Sequence, residues 1–163
     1  MVLAVSKGQG QEPITPEGIE ALRVELAELE SRARPEMAAQ IKAARELGDL
    51  SENADYHIAK EDQAHLETRI KRLKERLSAA VVVEVDDNAE AFAFGRTAEV
   101  LDQGSGKVHT WTLVGSTEAN LSEGRLSAES PVGSALRDRR VGESVSIETP
   151  GGRKAFQVRA LVG

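Results

Sequence analysis

Two long amphipathic segments, separated by one short turn, constrain the fold of this chain more than any other feature. In both, apolar residues recur at steps of three and four, which marks a single apolar stripe along a helix. The first stripe consists of Leu22, Leu26, Leu29, Ala33, Met37, Ile41 and Ala44, and the second of Ala59, Leu66, Ile70, Leu73 and Leu77. Two stripes joined by so short a turn can bury each other only by folding back. Residues 14–80 are therefore predicted to form an antiparallel two-helix coiled coil.

Local signals define the first of these helices. Thr15 is a capping residue, and Pro16 follows it at the first helical position, where a missing N–H costs nothing. Pro35 falls inside the segment and cannot donate to the carbonyl of Ser31, which predicts a bend at this point rather than the end of the helix.

From Val81 onward the pattern changes to short strand-like pieces separated by Gly-rich turns. Strands are predicted around residues 97–101, 108–114, 145–148 and 155–161. The segment SPVGSALRDRRVGES predicts a short helix that ends at Gly142. The chain is therefore expected to be α+β, with a compact, mainly β domain over residues 81–163. Residues 1–13 are interpreted as a flexible lead-in.

Composition excludes several classes of protein. The chain has 163 residues and a formal net charge of -6, which argues against a nucleic-acid binder with a broad basic face. It has no cysteine, so a disulfide framework, a thiolate metal site and a cysteine nucleophile are excluded. The apolar run at the start is too short for a signal-peptide core, and no later stretch could span a bilayer. A soluble, cytoplasmic protein without membrane contact is expected.

The turn between the two helices, GDLSENADYH, carries the most informative residues. It contains the carboxylates of Asp49, Glu52 and Asp55 and no Lys or Arg. Asp49-x-x-Glu52 fits a capping box, in which both acids serve the start of the second helix. The same two acids, one turn apart, could instead supply two of the six oxygens that Mg²⁺ requires. Two carboxylates alone would hold Mg²⁺ weakly, so this second interpretation needs a partner that contributes further acidic groups.

Two other groups of residues are candidates for function. His57, Glu61 and His65 share one helical face but lack the fourth ligand that a zinc site requires. Arg137, Arg139 and Arg140 form a dense cationic cluster, which indicates either contact with an acidic partner or a solvated loop. The sequence contains no Ser/His/Asp arrangement, P-loop or dinucleotide-binding turn.

The segment RPEMAAQIKAARELGDLSENADYHIAKEDQAHLETRIKRL resembles the coiled-coil arm of bacterial Gre-type transcript cleavage factors, most closely the GreA branch. The tip pattern of the family is met at Gly48, Asp49, Leu50, Glu52, Asn53, Ala54, Tyr56 and His57. The segment from Trp111 to Gly152 is similar to the C-terminal domain of the same family, including its SP-hydrophobic-G-x-A-L and TPGG stretches. The resemblance extends from Thr15 to the end of the chain.

This resemblance implies a factor that acts on RNA polymerase and has no activity alone. An FKBP-like C-terminal domain would dock at the rim of the polymerase secondary channel, and the coiled coil would reach the active site. There Asp49 and Glu52 would help to hold a Mg²⁺ ion shared with the polymerase, whose own centre cleaves the nascent RNA 3′ end of a backtracked complex. The free factor is expected to be a monomer that binds no Mg²⁺ tightly.

The resemblance also implies roles for the neighbouring side chains. Asn53, Asp55 and Tyr56 would have supporting roles at the tip, and Arg45 and Lys60 would lie near the RNA. The cluster of Arg137, Arg139 and Arg140, singled out above by its charge alone, would then be the candidate for docking on the polymerase. Ser51 and Lys60 depart from the family, which often has Lys and Arg at these places.

Three alternatives remain open at this point. The first is a secondary-channel regulator without cleavage activity, and the second is a plain coiled-coil adaptor. The third is an isomerase or chaperone built on the C-terminal half. The scarcity of aromatic residues there, which are Phe92, Phe94, Trp111 and Phe156, counts against an aromatic-lined isomerase pocket.

Overall fold

The structure is a computed structural model that describes residues 11–49 and 52–163. The rest of the predicted lead-in, residues 1–10, and the tip residues Leu50 and Ser51 lie outside the described residues. The chain divides into two compact units. One contains Ile19–Ala80, and the other combines Gln11–Gly18 with Val81–Gly163. No helix of the described ranges is both long and apolar enough to cross a membrane.

The first unit is a helical hairpin, as its two apolar stripes predict. Its elements are helix α1 (Pro16–Glu28), a π turn (Leu29–Ala33), helix α2 (Arg34–Arg45) and helix α3 (Ala54–Ala79). The stripes are buried at Leu22, Ile41 and Ala44 in the first arm and at Ala59, Ile70 and Leu73 in the second. The two arms also share ion pairs. The Arg34 guanidinium donates two hydrogen bonds of 2.8 Å to Glu67, and Arg69 Nε donates to Glu25 at 2.9 Å.

The Arg34–Glu67 pair gives the hairpin a small dependence on pH. The hydrogen bond from Arg34 holds the pKa of the Glu67 carboxyl below its ordinary value. Because the folded-state pKa is the lower one, the pair contributes at neutral pH, and the contribution is lost as the pH falls through the folded pKa. Both side chains are exposed, so the effect on the free energy of unfolding is small.

Pro35 neither ends the first arm nor interrupts its helical conformation. The preceding residues form the π turn, in which the N–H of Arg34 donates to the carbonyl of Leu29. Pro35 then lies within the first two residues of α2, where its missing N–H is tolerated. The wide turn therefore accommodates a proline that a continuous α-helix could not have accepted without losing a hydrogen bond.

The second unit begins with a strand that the sequence pattern missed. Strand β1 (Glu12–Ile14) pairs with strand β2 (Ala80–Val82) in a two-stranded sheet, and the N–H of Val83 donates to the carbonyl of Ile14 at 2.9 Å. The predicted lead-in of residues 1–13 is therefore wrong at its end. Three residues are too few to show a periodicity, and β1 is fixed by partners far away in the sequence.

The main sheet of this unit is mixed and has five strands in the order β5-β4-β3-β7-β6. The strands are β3 (Thr97–Asp102), β4 (Val108–Val114), β5 (Arg125–Ser127), β6 (Ser144–Thr149) and β7 (Gly152–Val162). All neighbours are antiparallel except β4 and β5. The four predicted strands are confirmed, with β7 longer than expected, and β5 was not predicted. The α+β class is confirmed.

One apolar core holds the second unit together. Alternate residues of β3 point into it, so that Ala98 and Val100 are fully buried. The remaining buried members are Phe92, Phe94, Leu113, Leu126, Ala128, Leu136, Ile147, Phe156 and Val158. Helix α4 (Pro131–Leu136) covers part of this core, with Ser130 as its cap. The helix ends well before Gly142, because Arg137 is extended and Asp138 has a φ of 62°.

Within this unit, Glu118 links the end of β1 and the start of α1 to the loop that follows β4. Its carboxylate accepts hydrogen bonds from the N–H of Thr15 at 3.1 Å, the N–H of Gly115 at 2.9 Å and the hydroxyl of Thr15. The Thr15 hydroxyl oxygen in turn accepts from the N–H of Gly18 at 3.0 Å, which confirms the predicted cap. Thr15 is only 5% exposed, so its polar groups depend on this carboxylate rather than on water.

Glu118→Ala is therefore expected to lower the free energy of unfolding of the second unit by about 2–3 kcal/mol, because buried donors lose their acceptor. Urea denaturation followed by the fluorescence of Trp111, the only tryptophan, would measure the loss. Glu118→Gln retains an acceptor oxygen and should lose less. A change below about 0.5 kcal/mol for the alanine variant would contradict this role.

Candidate functional site

The tip turn, of which the structure describes residues 46–49 and 52–53, is closed by backbone hydrogen bonds on the α2 side. The N–H of Glu46 donates to the carbonyl of Lys42 at 3.2 Å, and the N–H of Leu47 donates to that of Ala44 at 3.2 Å. Gly48 then reverses the chain with a φ of 124°. A Cβ at this position would meet no neighbouring atom. Backbone conformation, not lack of space, therefore favours glycine here.

Asn53 closes the tip turn on the α3 side. Its side-chain oxygen accepts from the N–H of Tyr56 at 3.0 Å, which makes Asn53 the N-cap of α3. Its side-chain nitrogen donates to the carbonyl of Ala44 at 2.6 Å. The predicted capping box of Asp49 and Glu52 is therefore wrong. An amide can cap α3 and donate to α2 at once, whereas a carboxylate can only accept.

Asp49 and Glu52 both lie in this turn and are exposed. Neither serves as the N-cap of α3. Within the described ranges, Glu52 takes part in no ion pair. Carboxylate oxygens are the ligands that Mg²⁺ prefers, so the donor set fits this ion, although two side chains supply only part of its octahedron. The described residues contain no group of three or more His, Asp or Glu side chains arranged to hold a metal.

Tyr56 and Arg45 form a second link across the base of the turn. The guanidinium carbon of Arg45 lies 5.8 Å from the centroid of the Tyr56 ring, a cation–π contact. His57 packs against the same ring, with 5.7 Å between centroids and an angle of 65°. Arg45, the last residue of α2, is therefore held beside the acidic turn.

The remaining candidates on α3 are arranged along the helix rather than gathered at the tip. Asp55 is exposed in the first turn, where a negative charge suits the helix dipole. Lys60 Nζ donates to the side-chain oxygen of Gln63 at 3.0 Å. His65 Nε2 lies 3.8 Å from the Glu61 carboxylate. Together with His57 these two residues form no group arranged to hold a metal.

The second candidate surface is the arginine loop, residues 137–140, which follows α4. Arg137 lies over the ring of Phe94, with 5.8 Å between guanidinium carbon and centroid. Arg139 donates to the carbonyl of Ala135 at 3.1 Å and lies 3.8 Å from the Glu143 carboxylate. The side chain of Arg140 is exposed and forms no ion pair with any described residue. Arg140 is therefore the most available cation of the three.

Sequence reasoning missed the two contacts that organise these units. The first is the hydrogen bond from Asn53 to Ala44. Its acceptor is a backbone carbonyl, so no pattern of side chains in the sequence could reveal it. Glu118 looks like an ordinary loop acid in the sequence, and only its distance from Thr15 in the fold shows its role. The pairing of Arg45 with Tyr56 could have been found from their positions on either side of the turn.

The comparisons with known proteins agree with this architecture. The model of the N-terminal domain of GreA/GreB transcription elongation factors matches residues 12–82, and that of their C-terminal domain matches residues 86–161. The chain therefore belongs to the GreA/GreB family of transcription elongation factors, and the resemblance found in the sequence is confirmed.

Individual relatives carry the name GreA. Transcription elongation factor GreA of Nautilia profundicola is 45% identical over 149 residues, which are 91% of this chain and 92% of that protein. GreA of Rhodospirillum rubrum is 43% identical, covering 90% of this chain and 94% of that protein. Among solved structures, GreA factor homolog 1 of Thermus thermophilus is 30% identical, covers 94% of this chain and 99% of that chain, and has a TM-score of 0.42. The assignment depends on the sequence relatives and the family models.

Proposed function

We propose that this elongation factor binds bacterial RNA polymerase, inserts its hairpin tip into the secondary channel and stimulates cleavage of backtracked RNA by the polymerase itself. One observation supports this most strongly. Asn53 caps α3, so Asp49 and Glu52, exposed at the end of a long hairpin, are not required for capping. Such a turn can deliver two carboxylates into a deep site on another protein.

The two acids would share a Mg²⁺ ion with acidic residues of the polymerase. When bound, that ion supplies an activated water and offsets the charge that develops on the phosphate. Asp49 and Glu52 contribute oxygen ligands in trans, so the chain needs no nuclease site of its own. Arg45, held on Tyr56, provides a guanidinium suited to a phosphate of the RNA 3′ segment. Lys60 lies further along α3 and provides a second, more distant cation.

The experiment that tests this proposal uses a purified, backtracked elongation complex. Addition of the protein with Mg²⁺ is expected to release short fragments from the RNA 3′ end. The protein on the same RNA without polymerase should release none. Binding to the complex without any gain in cleavage would instead favour a secondary-channel regulator of the inhibitory kind.

Docking is proposed to involve the arginine loop, whose positive charge contrasts with the net charge of -6 of the whole chain. An acidic surface on the polymerase would be its complement. Arg140→Glu should weaken binding to polymerase about three- to tenfold at low salt, mainly through slower association. Fluorescence anisotropy with the labelled factor would measure this change in affinity.

The matched control for this charge reversal is Arg159→Glu. Arg159 is exposed on β7 of the same unit, and its reversal changes the net charge equally. If both variants bound with the same affinity, the effect would be one of net charge, and the docking assignment would be wrong.

A further inference from the structure

We propose that Asn53 is a positioning residue: its side-chain amide closes the tip turn and so fixes where the carboxylates of Asp49 and Glu52 are presented. The inference rests on the proposed function, because it concerns the same acidic turn. It assigns Asn53 a role separate from capping. The two roles use different atoms of the amide group.

The closure is defined by two hydrogen bonds from one side chain. The oxygen of Asn53 accepts from Tyr56 N–H at 3.0 Å, and the nitrogen donates to the carbonyl of Ala44 at 2.6 Å. Ala44 is 5% exposed and is packed in the hairpin. Its carbonyl, near the end of α2, also accepts from Leu47 N–H at 3.2 Å. One side chain therefore joins the last turn of α2 to the first turn of α3.

The position of this link in the sequence determines which residues it constrains. Asn53 follows Glu52 directly, and Ala44 precedes Asp49 by less than two helical turns. Both acids therefore lie within the segment that the amide closes. The contact between Arg45 and Tyr56 connects the neighbouring residues of the same two helices. Together the two contacts fix both ends of the turn.

Closure is useful because two carboxylates make an incomplete Mg²⁺ site. Residues that must be ordered when the metal is shared would lose conformational freedom at that moment, and binding would weaken accordingly. A turn already closed by Asn53 has lost part of that freedom on folding. Holding the ligands near their working geometry in advance is the general requirement for such a site.

The chemistry of N-caps allows the two roles of Asn53 to be separated. Serine caps a helix about as well as asparagine does. Its single hydroxyl is one atom shorter than the amide and cannot accept from Tyr56 while also reaching the carbonyl of Ala44. Asn53→Ser therefore keeps the cap and removes the closure, whereas Asn53→Ala removes both. Ala54→Ser is the matched control, since it places the same hydroxyl one residue further along at an exposed position.

The first measurement is amide hydrogen exchange in the free, full-length protein. In Asn53→Ser, the N–H of Leu47 and of Gly48 should exchange at least about tenfold faster than in the wild type, while the N–H of Tyr56 stays protected. Ala54→Ser should behave like the wild type. Unchanged exchange at Leu47 and Gly48 in Asn53→Ser would show that the amide does not close the turn, and the inference would be overturned.

The second measurement is cleavage in a backtracked polymerase complex, titrated with Mg²⁺. Asn53→Ser should require about three- to tenfold more Mg²⁺ for half-maximal cleavage, with polymerase affinity unchanged. A variant that had only lost stability would need no more Mg²⁺ than the wild type. An unshifted Mg²⁺ titration for Asn53→Ser therefore overturns the inference. If the wild type itself stimulates no cleavage, the proposed function fails and the inference fails with it. The exchange data then still report whether the closure exists.

Discussion

Replacing Asp49 or Glu52 with alanine is expected to lower the rate of RNA cleavage in a backtracked polymerase complex by about 10²–10³-fold. Each carboxylate would act through a shared metal on the charge that develops at the phosphate. This is an interaction made mainly in the transition state. Losing one group of this kind typically costs about 3–4 kcal/mol, by analogy with an oxyanion-hole donor.

The two single losses should not add. Both acids are proposed to serve one metal, so the double variant should lose far less than the product of the two single effects. Affinity for polymerase should change by less than about tenfold, or ~1.4 kcal/mol, if docking depends mainly on the second unit. All variants should keep the helical content of the wild type, because Asn53 rather than Asp49 caps α3. They should compete with the wild type for polymerase.

Asp55→Ala is the matched control for these variants. It removes one negative charge from an exposed position in the first turn of α3, without removing either proposed ligand. A loss of less than about tenfold is expected. Single-turnover cleavage on a synchronised backtracked complex would compare the two single variants, the double variant and Asp55→Ala with the wild type. Cleavage near the wild-type rate with both Asp49 and Glu52 replaced would refute the metal-sharing proposal.

Phe92→Ala is expected to lower the free energy of unfolding of the second unit by about 3–5 kcal/mol. Phe92 is fully buried at the centre of the core. Its truncation removes a large apolar surface and leaves a cavity that the surrounding strands can fill only in part. Domains of this size are stable by about 5–15 kcal/mol, so the loss is a large share of the total.

Equilibrium denaturation followed by Trp111 would measure this change, since its ring centroid lies 5.9 Å from that of Phe156 and it packs against the same core. Phe92→Leu is the matched control and should lose less than about 1.5 kcal/mol. The backbone of Phe92 bonds to Arg139 and Asp138 at 2.8 and 2.9 Å, and both variants keep these bonds. A loss below about 1 kcal/mol for the alanine variant would show that the core can collapse around the gap.

Periodicity predicted most of the fold because it reports burial directly. The stripes that contain Ile41, Ile70 and Leu73 follow from the 3.6-residue repeat, and alternation along β3 follows from the pleat. The cap at Thr15 follows from the type of side chain and the proline after it. Whether Asn53 or Asp49 caps α3 could not be predicted in this way. Asn53 also donates a hydrogen bond to the backbone carbonyl of Ala44, a contact that exists only in the folded hairpin.

Other features escaped the sequence for the same non-local reason. Strand β1 is held by Glu118, 103 residues away from Thr15 in the chain. The π turn before Pro35 was not predicted either, because the proline rule indicates a bend but not the wider hydrogen-bonding pattern that forms there. The early end of α4 has a local cause instead, the non-helical backbone of Arg137 and Asp138, which their residue types do not reveal. The acidic turn itself could be singled out from the sequence because it gathers carboxylates with no Lys or Arg among them.

The pairing of β1 with β2 means that the hairpin is inserted within a domain whose two flanking strands are neighbours. The chain leaves the second unit after residue 18 and returns to it at residue 81, and the N–H of Val83 donates to the carbonyl of Ile14 at that junction. Both ends of the inserted arm therefore connect to the same two-stranded sheet. Recombination could exchange such an arm as a cassette, with its length and tip sequence, without altering the second unit.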